Sequence, residues 1–198
     1  MRRTKQDAAR TRDAILASAL DSFAEHGWDR STMEGIGQRI GLTRGAVCHH
    51  FRDKATLLRA VLVEGWAGQS EQLLAPLRDE RRPPVQRLTD FLADYLVKLD
   101  TAEDLRALVI VTTFIGRHID TSVDDHRLAT DVWREHLTRT LEQCTLQSEL
   151  SVEHVVFSVI ALINGAALES SLDPTRLPEH GAARAIATAA VRGWVLTN

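Results

Sequence analysis

Cys48, His49 and His50 stand side by side within "GLTRGAVCHHFRDK", residues 41–54, and Arg52, Asp53 and Lys54 follow closely. A thiolate and two imidazoles are ligands for zinc and related ions, and a thiol near imidazoles is also a potential redox centre. The spacing speaks against a metal. Consecutive residues on a helix point about 100° apart, so three in a row cannot converge on one ion without distant partners. The chain has no Cys-x-x-Cys and no His-x-x-x-His pair to supply them. No metal and no cofactor are expected, and the cluster calls for a different reading.

The elements around it supply one. Apolar residues recur at helical spacing along nearly the whole chain, with no alternating run of β-branched residues. The first long helix carries Ile15, Leu16, Ala19, Leu20 and Phe23 on one face and stops at Gly27. Ser31 is placed to cap a short second helix, with Glu34 reaching back in a capping box. Gly41 makes the next turn, Thr43 caps a second short helix, "RGAVCHHF" (residues 44–51), and Asp53 caps a long one that follows. Two short helices joined by a tight turn, with a support before and after, form a helix-turn-helix. Ile36, Ile40 and Val47 are spaced to bury its inner faces. Thr43, Arg44 and Gly45 then lie at the exposed start of the second helix. There a small residue admits a DNA backbone, and Arg44 can donate two hydrogen bonds to a guanine edge.

The stretch "TRDAILASALDSFAEHGWDRSTMEGIGQRIGLTRGAVCHHFRDKATLLRAV" closely resembles the N-terminal DNA-binding domain of the tetracycline-repressor (TetR) family. The motifs that carry the likeness are Thr-Arg, a Phe before the glycine stop, Thr-Met, "LTRGA" and "HF-x-x-K-x-x-LL". The basic lead-in "MRRTKQDAART" is similar to that of the family's multidrug-efflux repressors. The resemblance implies a homodimer whose recognition helices enter successive major grooves of a near-palindromic operator. Carried over by position, Thr43, Arg44 and Gly45 lie against bases, while Thr32, His49, His50 and Lys54 lie at or near phosphates. Arg2, Arg3 and Lys5 reach the minor groove or phosphates, or else form a solvated tail. Two positions depart from the pattern. Cys48 replaces a tyrosine that touches a phosphate, which leaves a thiol beside DNA and opens a redox-responsive alternative. Gly37 stands where alanine is commoner and is expected to loosen its helix slightly.

Charge agrees with a basic front on an acidic body. Residues 1–54 hold ten Lys/Arg against seven Asp/Glu, and the remainder holds fourteen against twenty. The two cysteines provide no disulfide framework, the N-terminus has no secretory pattern, and the apolar run Val155–Leu168 is short of the roughly 20 residues that span a bilayer. A cytoplasmic protein with no membrane partner is expected.

The fold expected is all-α with about nine helices. Residues 1–53 form a three-helix DNA-binding domain, and residues 54–198 form a ligand-binding and dimerisation domain that opens with a linking helix over 54–77. Later helices are expected near 84–100, 103–117, 123–147, 152–171 and 180–196. In this family a cavity in the body holds a small effector, here expected to be hydrophobic or aromatic. Trp66, Phe91, Tyr95, Thr112, Thr113, Phe114, Arg117, His118 and Trp133 are the residues placed to line it, with plain core packing as the alternative for Phe91, Tyr95 and Phe114. The last two helices, one apolar nearly all round and one rich in alanine, suit a four-helix dimer interface through Val155, Val159, Ile163, Ala187, Val191 and Trp194, or the core of a monomer. No nucleophile elbow, zinc-protease motif or P-loop is present, and Gly35, Gly37 and Gly41 miss the dinucleotide-binding spacing, so no enzyme is expected. The function expected is a ligand-responsive repressor, possible targets being an efflux or transport gene. The alternatives are a helical adaptor and a redox-responsive regulator using Cys48.

Overall fold

The computed structural model describes residues 5–118 and 125–196, without the side chains of Arg117, residues 125–130, Pro174 and His180. Ten α-helices are present in the described residues, with short π and 3-10 turns and a single β-bridge between Leu146 and Val195. Packing divides the chain into two units. One comprises the N-terminal residues through Trp66 together with Ala107–His126, and the other comprises Ala67–Arg106 and the residues from Arg127 onward.

In the first unit, α1 (Lys5–Arg30) runs to Gly27, whose φ of 74° breaks the helix where the sequence predicts a stop. α2 (Met33–Arg39) and α3 (Arg44–His50) follow, joined through Gly41 at φ 70°. The first part of α4 (Lys54–Leu73) closes the unit. Ile15, Ala19 and Phe23 form the inward stripe of α1. They meet Ile36 of α2, Val47 of α3 and Leu57, Leu58, Val61 and Leu62 of α4. Full burial of side chains of this size stabilises by about 1.5–3 kcal/mol each before entropy is counted. The same core also takes in Leu108, Val111 and Ile115. These lie on the end of α7 (Glu103–Ile110) and on the π-helical turn Val111–Ile115 that continues it.

The expected cap of α2 is corrected. Thr32, not Ser31, is the N-cap: its hydroxyl accepts from the Gly35 N–H at 3.0 Å. Ser31 is buried instead, and its hydroxyl donates toward the carbonyls of Ser22 and Gly27. It therefore ties the end of α1 shut and has no lone role at the helix start.

The second unit is built around α6 (Pro84–Thr101), with Pro83 as its N-cap and Pro84 as its first residue. α5 (Ala75–Arg78) precedes it, and α9 (Val152–Leu172) and α10 (His180–Trp194) pack on it. α8 (Asp125–Leu141) supplies Trp133, Leu137 and Leu141 to the interior. Buried Asp90 of α6 accepts from Arg82 and from Arg184 of α10, each at 2.8 Å. Buried Arg87 donates to the Leu77 carbonyl at 3.1 Å and to the Gln143 side chain. α9 is long and apolar enough to cross a membrane by length and composition. Here Val155, Val156, Val159, Ile160, Ile163 and Ala167 of its inner face lie buried in the unit.

Candidate nucleic-acid interface

α3 has one buried side chain, Val47, and the rest of the helix is organised around that anchor. With Val47 held in the core, Thr43, Arg44, Gly45, Cys48 and His49 are exposed, and Ala46 and His50 are half-buried. Thr43 is the N-cap, accepting from the Ala46 N–H at 3.2 Å, so its backbone placement is set locally. Arg44 makes no hydrogen bond or ion pair among the described residues, which leaves its donor fork available. A Cβ built at Gly45 would meet only the Thr43 hydroxyl at 3.9 Å. The glycine is thus not required by packing within the chain, and the bare surface beside Arg44 is open to a close approach from outside.

Gly37 behaves differently, and the expectation for it is corrected. A Cβ there would lie 2.9 Å from the Leu42 carbonyl oxygen and 3.0 Å from Val47 Cγ2. The Gly37 carbonyl also accepts from the N–H groups of Ile40 and Leu42 at 3.1 and 2.8 Å. The glycine lets α2 and α3 close on each other, so it tightens the motif where alanine would push it apart.

Asp53 caps the start of α4 as expected, accepting from the Thr56 N–H at 2.7 Å. That bond, aided by Arg52, holds its carboxyl down at about 2. Thr32 is exposed at the start of α2. His49 and His50 meet edge to face with ring centroids 5.5 Å apart. Lys54 turns inward: its ammonium donates to the carbonyls of Trp28 and Ser31 at 2.7 and 3.0 Å and lies 4.2 Å from the Trp28 ring centroid. Burial lowers its pKa below the usual lysine range. The inward turn is a departure from the phosphate position that the resemblance implies. Lys5 is exposed at the first turn of α1, while Arg2 and Arg3 lie outside the described residues. One polar tie from α1 to α4 went unread in the sequence. It is Arg12, which meets both carboxylate oxygens of Glu64 at 2.5 and 2.6 Å and sits 5.1 Å over the Phe51 ring. Two charged residues 52 positions apart leave no periodic trace.

Residues 15–61 match the family model for bacterial regulatory proteins of the tetR family. Over these residues the chain matches the N-terminal domain of the tetracycline-repressor family. It is 36% identical over 103 residues to the transcriptional repressor BepR of Brucella suis, covering 52% of this chain and 49% of that one. The chain thus spans about half the length of the curated tetracycline-repressor relatives it matches at this level. Among solved structures it is similar to NalD, the secondary repressor of the MexAB-OprM multidrug efflux pump in Pseudomonas aeruginosa. There the TM-score is 0.77 at 25% identity, covering 96% of this chain and 98% of that one. It is also similar to the triclosan complex of SmeT, the repressor of the Stenotrophomonas maltophilia efflux pump SmeDEF. There the TM-score is 0.69 at 26% identity, covering 96% and 93%. The N-terminal likeness to multidrug-efflux repressors within the tetracycline-repressor family stands, as does the all-α architecture.

The residues expected to hold an effector fall into two groups. In the second unit, Phe91 and Tyr95 are buried and pack edge to face on Trp133 at 5.7 and 6.0 Å, and the Trp133 indole donates to the Ser70 hydroxyl at 2.8 Å. Burial pushes the Tyr95 phenol well above its ordinary value. In the first unit, the Trp66 indole donates to Thr112 at 2.8 Å, Thr113 and Phe114 are exposed, and His118 stacks on Trp28. The Arg117 side chain lies outside the described residues. A shallow groove of about 270 Å³ lies on the first unit, lined by Leu16, Ala17, Leu20, Val61, Glu64 and Gly65 with Asp13, and it includes none of the expected effector residues.

The residues expected at a dimer face need correction. Val155, Val159, Ile163, Ala187 and Val191 are buried within the single chain, and Trp194 is half-buried. The outward residues of the same two helices are Phe157, Ala161, Gly165, Leu168 and Leu172 on α9 and Ala182, Ile186, Ala189 and Gly193 on α10. The apolar periodicity was shared between an inner and an outer stripe, and only packing separates them.

Proposed function

We propose that this chain is a DNA-binding transcriptional regulator that occupies a near-palindromic operator as a homodimer and leaves it when a small hydrophobic or aromatic effector binds. The observation that carries this reading is α3: a helix anchored by one buried valine presents an unpartnered Arg44 beside the bare backbone of Gly45. Its relatives' roles at efflux pumps support a repressor that controls an efflux or transport gene, working in the cytoplasm, with no catalytic part to play. The second copy sits on the outward stripe of α9 and α10. Phe157 and Leu172 are 68% and 63% exposed there, which is costly for side chains of that size without a covering surface. Built Cβ atoms at Gly165 and Gly193 meet nothing within 4 Å, so a partner helix can approach closely.

The test is a titration against labelled DNA from upstream of the chain's own gene, at two salt concentrations and with random DNA as competitor. Binding that survives competitor and weakens with salt is the expected result. Arg44→Ala should cost about 1–3 kcal/mol of specific affinity and relax the preference at one base pair. Equal affinity for operator and random DNA would defeat the reading.

A further inference from the structure

Trp28 sits one residue beyond the Gly27 break, and three parts of the first unit meet on its ring. His118 stacks on it almost parallel, with centroids 4.8 Å apart and planes 5° apart. Phe23 of the core stacks at 6.0 Å and 17°. The Lys54 ammonium lies 4.2 Å from its centroid while donating to the Trp28 carbonyl at 2.7 Å and to the Ser31 carbonyl at 3.0 Å. Lys54 therefore grips both the ring and the backbone of the connection that leads into α2. His118, by contrast, closes the 3-10 turn Gly116–His118, which directly follows the π-helical turn Val111–Ile115.

That π turn holds one residue more than an α-helix would, a feature frequent at functional sites. It is pinned on one side by Val111 and Ile115 in the core and by the Trp66 bond to Thr112. A return to α-helical hydrogen bonding would rotate the Gly116–His118 turn by about 100° about the helix axis. His118 would leave the indole, while the buried anchors before it would stay in place.

We propose that Trp28 is the positioning residue through which the Gly116–His118 turn holds the α1–α2 connection and the start of α4 in the arrangement that reads DNA. A change of register in the π turn lifts His118 from the indole, loosens the connection that Lys54 grips, and lowers operator affinity. This rests on the DNA-binding reading above and names the element that regulates that same site.

The experiment begins with duplexes selected from a random pool by the wild-type protein. Affinity for the selected duplex is then measured for His118→Ala, Trp28→Leu, the double variant and His118→Phe. His118 is exposed, so its replacements should fold. His118→Ala is expected to weaken binding about three- to ten-fold, the range of an aromatic stack. The double variant should bind no more weakly than Trp28→Leu alone, and His118→Phe should stay within about two-fold of wild type. Multiplicative losses in the double variant, or a Phe variant that behaves like Ala, would overturn the proposal. Amide hydrogen exchange of the protein without DNA gives a separate readout. In His118→Ala, exchange should quicken over residues 28–32 and 54–57 and stay unchanged in α6. Unchanged exchange at residues 28–32 would also overturn the proposal. If the wild-type protein selects no duplex, the DNA-binding reading fails, whereas the exchange result still decides whether His118 holds this connection.

Discussion

Gly37 shows how one atom settles a matter that propensity leaves to the wrong side. On an isolated helix, alanine would be favoured over glycine by about 1 kcal/mol. Here its Cβ would meet the Leu42 carbonyl and Val47. Gly37→Ala is therefore expected to lower stability by about 1 kcal/mol, as read by urea denaturation, and to weaken DNA binding through the displaced α3. A more stable Gly37→Ala protein would show that the contact relaxes freely. Asp53 allows a pH test. Its carboxyl is depressed from 3.8 to about 2 by the Thr56 N–H. A depressed carboxyl contributes stability above the unfolded value, and that contribution fades as pH falls from about 4 toward 2. Asp53→Ala should cost about 1 kcal/mol at neutral pH, with the gap to wild type closing across that acid range. At Cys48, exposed on α3, a tyrosine would restore the phosphate contact implied by the family pattern. Cys48→Tyr should raise affinity a few-fold, about 0.5–1.5 kcal/mol for one hydrogen bond, for selected and random DNA alike.

At the scale of elements, the short helices stand because their ends are satisfied and one face is buried. α2 and α3 have seven residues each, too few to hold alone in water. Thr32 and Thr43 cap them, Gly41 turns between them, and Ile36 and Val47 fix them to α1 and α4. The α6–α10 pair relies on a different device, in which Asp90 is shared between Arg82 and Arg184. Both arginines are half-exposed and can return to water, so the loss on Asp90→Ala is moderated by screening. About 1–2 kcal/mol is expected, seen as a lower melting temperature with α10 exchanging faster than α6. An unchanged melting temperature would mean that the apolar contacts between the two helices suffice.

For the whole molecule, the decisive question is what covers the outward stripe of α9 and α10. Phe157→Glu should leave the fold intact, because the ring is exposed, and should turn the sedimentation of a dimer into that of a monomer. A variant that stays dimeric would place the second copy elsewhere. The helices, their breaks at Gly27 and Gly41, the caps at Thr43 and Asp53 and the exposed positions Thr43, Arg44, Gly45 and Cys48 were all legible in the residues, since each depends on neighbours within about one turn. The sequence by itself thus determined an all-α chain with an N-terminal likeness to the tetracycline-repressor family and with Arg44 and Gly45 at the exposed start of α3. Only the tertiary structure decided that Lys54 turns in toward Trp28, that Ser31 closes α1 and leaves the capping of α2 to Thr32, and that Val155, Val159 and Val191 serve the chain's own core. The physical reason is common to all three. Periodicity and propensity report that a group must be buried or satisfied, but the partner that does so lies far along the chain and is chosen by packing.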